Sequence, residues 1–383
     1  MGCVIPTHLH ITIIKLTLNP HTMNLHQLWL ITRYSFTEIW RNKTFRVAFM
    51  VLIPLLIAYQ VSFQSDMFNI PVEYTLVLSS FIPTQNAYMF NLLLVFPLAT
   101  MGFWVHKQKK YNTLEALLVH PQGNDTYSTG FILGIIIAFM IMGSISLALA
   151  GLINLFASPT SFRPLIYLFY LVTLILPTIV FIVGITSFLA ARCFKNGTVT
   201  TFFMLVYLSV DILFLSTLYH GLFDPLGILL PYTFSDFTGI ADLPGFLLHR
   251  TTFLLLGIGF ITLAISGLPR IPNKINGRQR AACSGILALF VGLLAGFITY
   301  NHHEQVERRH ALYESVYEKH DSPNKINIIA HDIRFTYQQK EARVESRVSL
   351  YNPTGITLSE IILYLNPSLE VTSIQENLSP VPF

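Results

Sequence analysis

The chain has 383 residues, 52% of them hydrophobic and only 11% charged, and its mean hydropathy is +0.55. A soluble domain is about a quarter charged, so this charge is too sparse to cover a water-facing surface of such a size, and the composition excludes an ordinary soluble fold. The net charge of +4 is modest and lies at the edges of apolar stretches, which argues against a nucleic-acid face built from clustered Lys and Arg.

Residues 1–22 form an uncertain leader or a misplaced start. The apolar stretch Cys3 to Leu18 is short, holds His8, His10 and Lys15, and ends at Asn19-Pro20. It lacks the basic start and small-residue cleavage site of a signal peptide, and Pro6 stands where a myristoylation pattern needs Ser or Thr. The working chain is expected to begin at Met23. Residues 23–43 are two-faced. Leu25, Leu28, Trp29, Phe36, Ile39 and Trp40 recur at helical spacings, with Arg33, Glu38 and Arg41 between them. This pattern predicts an amphipathic helix at the membrane interface, its Trp residues at headgroup depth. A simple extension of the first span is the plainer alternative.

A helix needs about 20 apolar residues to cross a bilayer, because each residue rises about 1.5 Å through a core about 30 Å thick. Seven stretches qualify: Phe45 to Phe63, Tyr88 to Val105, Thr129 to Phe156, Leu165 to Ala190, Val199 to Tyr219, Thr251 to Leu268 and Ala282 to Tyr300. Residues 44–268 are read as a six-helix membrane domain, and 269–300 as a basic loop and seventh span. The cations alternate between the connections. Lys15, Arg33, Arg41, Lys43, Arg46, Lys107, Lys109, Lys110, Arg192, Lys195, Arg270, Lys274, Arg278 and Arg280 fall on one side, against Arg163 and Arg250 in the short loops of the other. Basic loops stay in the cytoplasm. The amino end is therefore predicted inside and the carboxyl end outside. The outer segment Gly221 to His249 carries Asp224, Asp236 and Asp242, has no Lys or Arg, and is rich in Phe, Leu, Pro and Gly. Short helices dipping into the outer leaflet are predicted there, tolerable only where packed on protein.

After Tyr300 the composition changes. Residues 301–383 read as an extracytoplasmic stalk, Asn301 to His320, and the start of a β-rich domain. Alternation at Ile333-Phe335-Tyr337 and Val344-Ser346-Val348-Leu350 predicts strands, Asn352-Pro353-Thr354-Gly355 a turn, and Ile361 to Leu365 and Leu369 to Ile374 further strands. So short a β-segment is little for an independent core, and the expectation is the opening of a larger, truncated domain.

The segment most suggestive of mechanism is Lys110 to Pro121. Asn112 can cap a helix with Glu115 reaching back. Leu114, Leu117 and Leu118 share one face, and Pro121 stops the helix beside His120. An apolar-faced helix in the cytoplasm needs a cover: a partner groove or the underside of its own bundle. Asn112-Thr-Leu-Glu-Ala-Leu-Leu-Val-His-Pro121 resembles the segment by which ABC-2 type transporter permeases meet their ATPase. Asn112 stands in place of the usual Gly there, and His120 in place of a small residue. The interfacial first helix, the stretch Leu165 to Ala190 and the outer segment before the sixth span are similar to that family over roughly Met23 to Leu268. Asp332-Ile-Arg-Phe335, Ser349-Leu-Tyr-Asn352 and the run from Ile362 to Ile374 resemble the opening strands of M1-family aminopeptidases. The whole is thus similar to permeases fused to an M1-like outer domain.

The resemblance implies an all-α polytopic bundle of about seven transmembrane helices with a short β-rich outer segment, in a bacterial inner membrane. It implies an ATP-driven exporter whose coupling helix carries Asn112, Leu114, Glu115, Leu117, Leu118, His120 and Pro121. Implied partners are a separate ABC ATPase that binds ATP-Mg, a second permease copy or a related one, and lipid, with no nucleic acid. This chain has no Gly-x-x-x-x-Gly-Lys-Ser/Thr loop and no His-Glu-x-x-His zinc motif, so no enzyme activity and no cofactor of its own are expected. A membrane anchor that presents a peptidase-like domain, without transport, is the alternative. Asp211, in the middle of the fifth predicted span, is a candidate intramembrane polar site. It either lines a substrate route or bonds a neighbouring helix. Asn91 and Asn154 are expected to bond between helices, Pro54, Pro97 and Pro177 to kink them, and Cys3, Cys193 and Cys283 to be inert thiols.

Overall fold

The computed structural model describes residues 25–64, 79–110, 124–157, 161–228, 233–236, 239–240, 242–267, 275–320, 326–338, 341–353, 355–357, 361–363, 365, 369–376 and 379–381. Two compact units divide the chain, Met1–His303 and Glu304–Phe383.

The first unit is helical: α1 (Leu25–Arg41), α2 (Lys43–Gln64), α3 (Phe81–Ala99), α4 (Met101–Lys110), α5 (Asn124–Ala157), α6 (Pro164–Cys193), α7 (Gly197–Leu213) and α8 (Leu243–Gly267), followed by α9 (Ile275–His320), which runs on past this unit's last residue. Of these, α2, α5, α6, α8 and α9 are long and apolar enough to cross a membrane. They mark a membrane-embedded protein, with five candidate spans among the described residues where seven are predicted. The second predicted span is divided between α3 and α4. Pro97 has no N–H to give to the helix ladder, and the Thr100 hydroxyl turns back to donate to the Pro97 carbonyl at 2.6 Å. The fifth predicted span is α7. Its 17 residues rise about 26 Å at about 1.5 Å each. The chain then tightens into a 3₁₀ turn, Leu215–Gly221, and Gly221, at φ 80°, turns it back.

Residues of the predicted outer connections meet one another, and so do residues of the predicted inner ends. Ser79, Arg163 and Asp236, all from predicted outer connections, meet at one end. At the other, Arg192 donates to Ser266, and Gly197 lies against Phe103 so closely that a Cβ would come within 2.9 Å of its Cα. Those four residues come from the predicted inner ends.

The tightest helix pair is α6 with α8. Gly184 and Gly257 face each other, and a Cβ on Gly257 would fall 2.7 Å from the Val180 carbonyl. Small residues let membrane helices touch backbone to backbone where lipid gives no hydrophobic drive. The predicted amphipathic helix exists as α1, and it docks along α5 in the same manner. Gly130 and Gly134, one turn apart, receive Ile31 and Ser35. Thr32, Ser35 and Ile39 are buried by that contact, while Leu25, Trp29, Leu30 and Tyr34 stay exposed. Trp40 stacks among Phe36, Phe45 and Phe49 at 5.6–5.7 Å between centroids and so fixes the corner from α1 to α2.

In the second unit the charged stretch predicted as a stalk is helical to His320, with Arg308 and Glu304 paired one turn apart at 2.6 Å. Strands β1 (Asn327–Gln338) and β2 (Glu341–Tyr351) form an antiparallel hairpin with a bulge between Ile328 and Ala330. The predicted turn follows, with Gly355 at φ 67° and the Asn352 amide donating to the Ile356 carbonyl. The further strands predicted at 361–365 and 369–374 are not strands in their described residues. Instead β3 (Gln375–Glu376) pairs with β4 (Ser379–Pro380). Alternating apolar residues favour a strand only where a neighbour takes up the backbone hydrogen bonds along it, and the described residues of that stretch join no ladder, only Ile374 O accepting from the Val381 amide at 3.0 Å beside the β3–β4 pair.

Candidate functional site: a buried polar cluster between helices

Polar side chains inside this bundle are costly unless satisfied, so where they gather identifies what the fold is built to hold. The gathering begins at Pro177 in α6. Proline cannot bond the carbonyl four residues back, and residues Leu171–Ile175 widen into a π-helical turn, a distortion frequent at functional sites. The carbonyls of Thr173 and Leu174 are thereby open to other donors.

Arg250 supplies them. It enters from α8 and is 1% exposed. Its Nε donates to Thr173 O at 3.2 Å, its Nη2 to Leu174 O at 3.0 Å and to Thr178 Oγ1 at 2.7 Å, and both terminal nitrogens to Pro225 O at 3.2 Å. The planar five-donor fork of arginine suits such an array, and a lysine ammonium does not. Asn91 of α3 adds an amide that donates to Thr178 Oγ1 at 3.1 Å and to Leu226 O at 2.9 Å. Asp224, fully buried, accepts from the amides of Leu226 and Gly227 at 2.9 Å each and from that of Ile228. Gly227, at φ 72°, leaves room for the guanidinium: a Cβ there would lie 3.1 Å from Arg250 Nη1. Next to Arg250, His249 donates from Nε2 to the Gly221 carbonyl at 2.8 Å. The segment 221–228 thus packs on the bundle through its own backbone, but its described residues form turns and bends in place of the short helices predicted there.

Arg250 is therefore not a loop cation. It sits in the second turn of α8, inside protein. Asp224 is likewise no solvated loop acid.

Asp211 is 0% exposed, and neither of its carboxylate oxygens has a hydrogen-bond partner. It faces protein, as an intramembrane carboxyl should. Its predicted place in mid-span is corrected, because α7 ends at Leu213 and Asp211 falls in the last turn. A hydrogen bond to a neighbouring helix is not formed. Asn154 donates to Tyr167 Oη at 3.0 Å, so Asn154 and Asn91 both bond between helices as predicted. Cys193 and Cys283 are free and exposed. The predicted coupling-helix residues Asn112, Leu114, Glu115, Leu117, Leu118, His120 and Pro121 lie outside the described residues, between the end of α4 at Lys110 and the start of α5 at Asn124.

A second polar knot joins the outer connections. Asp236 accepts from the Ser79 amide at 2.9 Å and from the Ser79 hydroxyl at 2.5 Å, and lies 3.2 Å from Arg163 Nη1. Burial acts to raise the pKa of its carboxyl, but these donors outweigh it and hold the group below the ordinary carboxylate value of 3.8. A depressed folded-state pKa contributes stability that is present above the unfolded value and lost as pH falls through the folded one. In melts taken from about pH 5 downward, the parent should lose stability once the pH falls below about 4, and Asp236→Asn should remove that component of the loss. Identical acid profiles for the two would refute the knot's contribution.

The sequence carried one overlooked signal for the main cluster. Arg250 lies one residue before the apolar run begins, near enough to an end to be counted outside it, yet the run Phe246-Leu-Leu248 before it is apolar too, so the cation stands within a longer apolar helix. No protein-family model matches this chain, and no curated protein matches it.

Proposed function

We propose that this chain is the membrane subunit of an ATP-driven exporter of the ABC-2 type, coupled to a separate ATPase through residues 112–121. The observation that supports this reading is the packing of the two helices that flank those residues in the chain. The first, α4, ends at Lys110 and packs on α7, where a Cβ on Gly197 would come within 2.9 Å of Phe103 Cα, and the second, α5, begins at Asn124 and is the helix on which α1 docks. Force applied to 112–121 would reach the bundle through α5 and, through α1, the membrane interface. The amphipathic first helix and the packed outer segment before α8 give further support.

In this reading the basic end faces the cytoplasm of a bacterial inner membrane and the carboxyl end faces outward. A partner ATPase binds ATP-Mg and closes against Glu115 and the leucines. Two permease copies, or two related ones, then rearrange. The Arg250 cluster keeps α3, α6, α8 and segment 221–228 moving together, and Asp211 lines the route where helices separate. The exposed hairpin of the second unit favours a second reading, in which the bundle only anchors a peptidase-like outer domain. Vanadate-sensitive ATP hydrolysis in a complex purified through this chain separates the two. Transport requires it, and its absence from an intact complex leaves the anchor.

A further inference from the structure

The corner between α1 and α2 and the break between α3 and α4 enclose a cavity of about 360 Å³, lined by Asn42, Thr44, Phe45, Pro97, Thr100, Met101, Phe103 and Phe139. Its wall is mostly aromatic and aliphatic, and Phe103 is 48% exposed, so the cavity opens at the side of the bundle. Phe45 packs edge-on against Phe139 at 5.4 Å and tilts against Trp40 at 5.6 Å, so the inner wall is a layer of packed aromatic rings. The depth is set by α2, whose apolar span begins at Lys43. The polar lining residues Asn42 and Thr44 therefore stand at the level where hydrocarbon gives way to headgroups.

Charge flanks the same spot. Arg41, Lys43 and Arg46 alternate in sequence with the lining residues Asn42, Thr44 and Phe45, and all three are exposed. Arg46 is held in place, its Nη2 donating to the Arg41 carbonyl at 2.9 Å. From Leu25 to Gln64 the only acid is Glu38, against Arg33, Arg41, Lys43 and Arg46. An apolar slot that opens into lipid, with a cationic rim at headgroup depth, has the complementary chemistry of an anionic amphiphile. Guanidinium groups match phosphate oxygens, and basic groups at this depth attract acidic lipids.

We propose that this cavity binds an anionic phospholipid of the surrounding bilayer, its phosphate among Arg41, Lys43 and Arg46 and one acyl chain along the exposed face of Phe103, with Phe45 and Met101 behind it. The site stands without the transport reading. It joins α2 to the α3–α4 break, so the bound lipid stiffens that break.

Trp40 reports on the site. The full chain carrying Trp29→Phe and Trp104→Phe, which leaves Trp40 as its sole tryptophan, is placed in phosphatidylcholine nanodiscs containing either brominated phosphatidylglycerol or brominated phosphatidylcholine. Half-quenching of Trp40 is expected at a roughly tenfold lower fraction of the brominated anionic lipid. Arg41→Gln, Lys43→Gln and Arg46→Gln together should erase the preference. Thr100→Phe, which fills the slot, should reduce quenching by both lipids. NaCl at about 0.5 M, which shortens screening to a few ångströms, should narrow the preference in the unaltered rim, so the electrostatic claim is read even if the triple variant misfolds. Equal quenching by the two lipids, or a preference that survives both neutralisation and salt, overturns the proposal. Quenching unchanged by Thr100→Phe overturns the placement of the chain. None of these readouts depends on an ATPase.

Discussion

Arg250→Met should cost on the order of 3–5 kcal/mol, the range for breaking a buried charged array by removing one partner, and should leave little folded protein after solubilisation. The reason is where its hydrogen bonds go. Thr173 O accepts from Arg250 and has lost its helical donor to Pro177, while Pro225 O, which also accepts from Arg250, keeps the Thr178 hydroxyl at 2.9 Å. An unmet buried acceptor costs about 1–3 kcal/mol by itself, and Asp224 stays buried nearby with its charge less balanced. Arg250→Lys keeps the charge but loses the fork, so it should recover only part of the loss. Thermal melts of detergent-purified protein, read by size exclusion, give the ordering parent, Lys, Met. A Met variant as stable as the parent would mean that the cluster does not hold α6, α8 and segment 221–228 together.

Asp211→Leu should act in the opposite direction. Both carboxylate oxygens are buried without a partner, and exchanging such a group for a hydrocarbon of similar volume removes an unmet desolvation cost of about 1–3 kcal/mol. The variant should therefore melt higher. If the carboxyl serves the substrate route, transport falls at the same time, since sites of function are often where stability is forgone. Asp211→Asn, which keeps the shape and the polarity, should give neither the full gain in stability nor the full loss of transport. A lower melting point for Asp211→Leu would show that the carboxyl has a partner and that its burial stabilises the fold.

Five of the seven predicted spans, the amphipathic first helix and the first two strands were legible in the sequence, because each rests on a periodic or compositional pattern local to its own segment. Arg250 was misplaced for the same reason. A window that seeks apolar runs stops at a cation, whereas the fold buries that cation using acceptors 25 to 77 residues distant in sequence. The π-helical turns at Leu171–Ile175 and Leu189–Cys193 leave no compositional mark beyond Pro177, which signals a kink and not what fills it. Asp211 was set in mid-helix because apolar residues continue past Leu213, and composition does not tell an α-turn from the 3₁₀ turn that replaces it. The strands expected at 361–374 show the converse, a local alternation that joins no ladder in its described residues.

The most direct test of the central proposal is co-purification of the ATPase with the full chain carrying both Glu115→Arg and Leu118→Asp. The account predicts that the membrane protein inserts and melts as the parent does, while the bound ATPase and its vanadate-sensitive hydrolysis disappear. An ATPase that remains bound in undiminished amount would contradict coupling through residues 112–121.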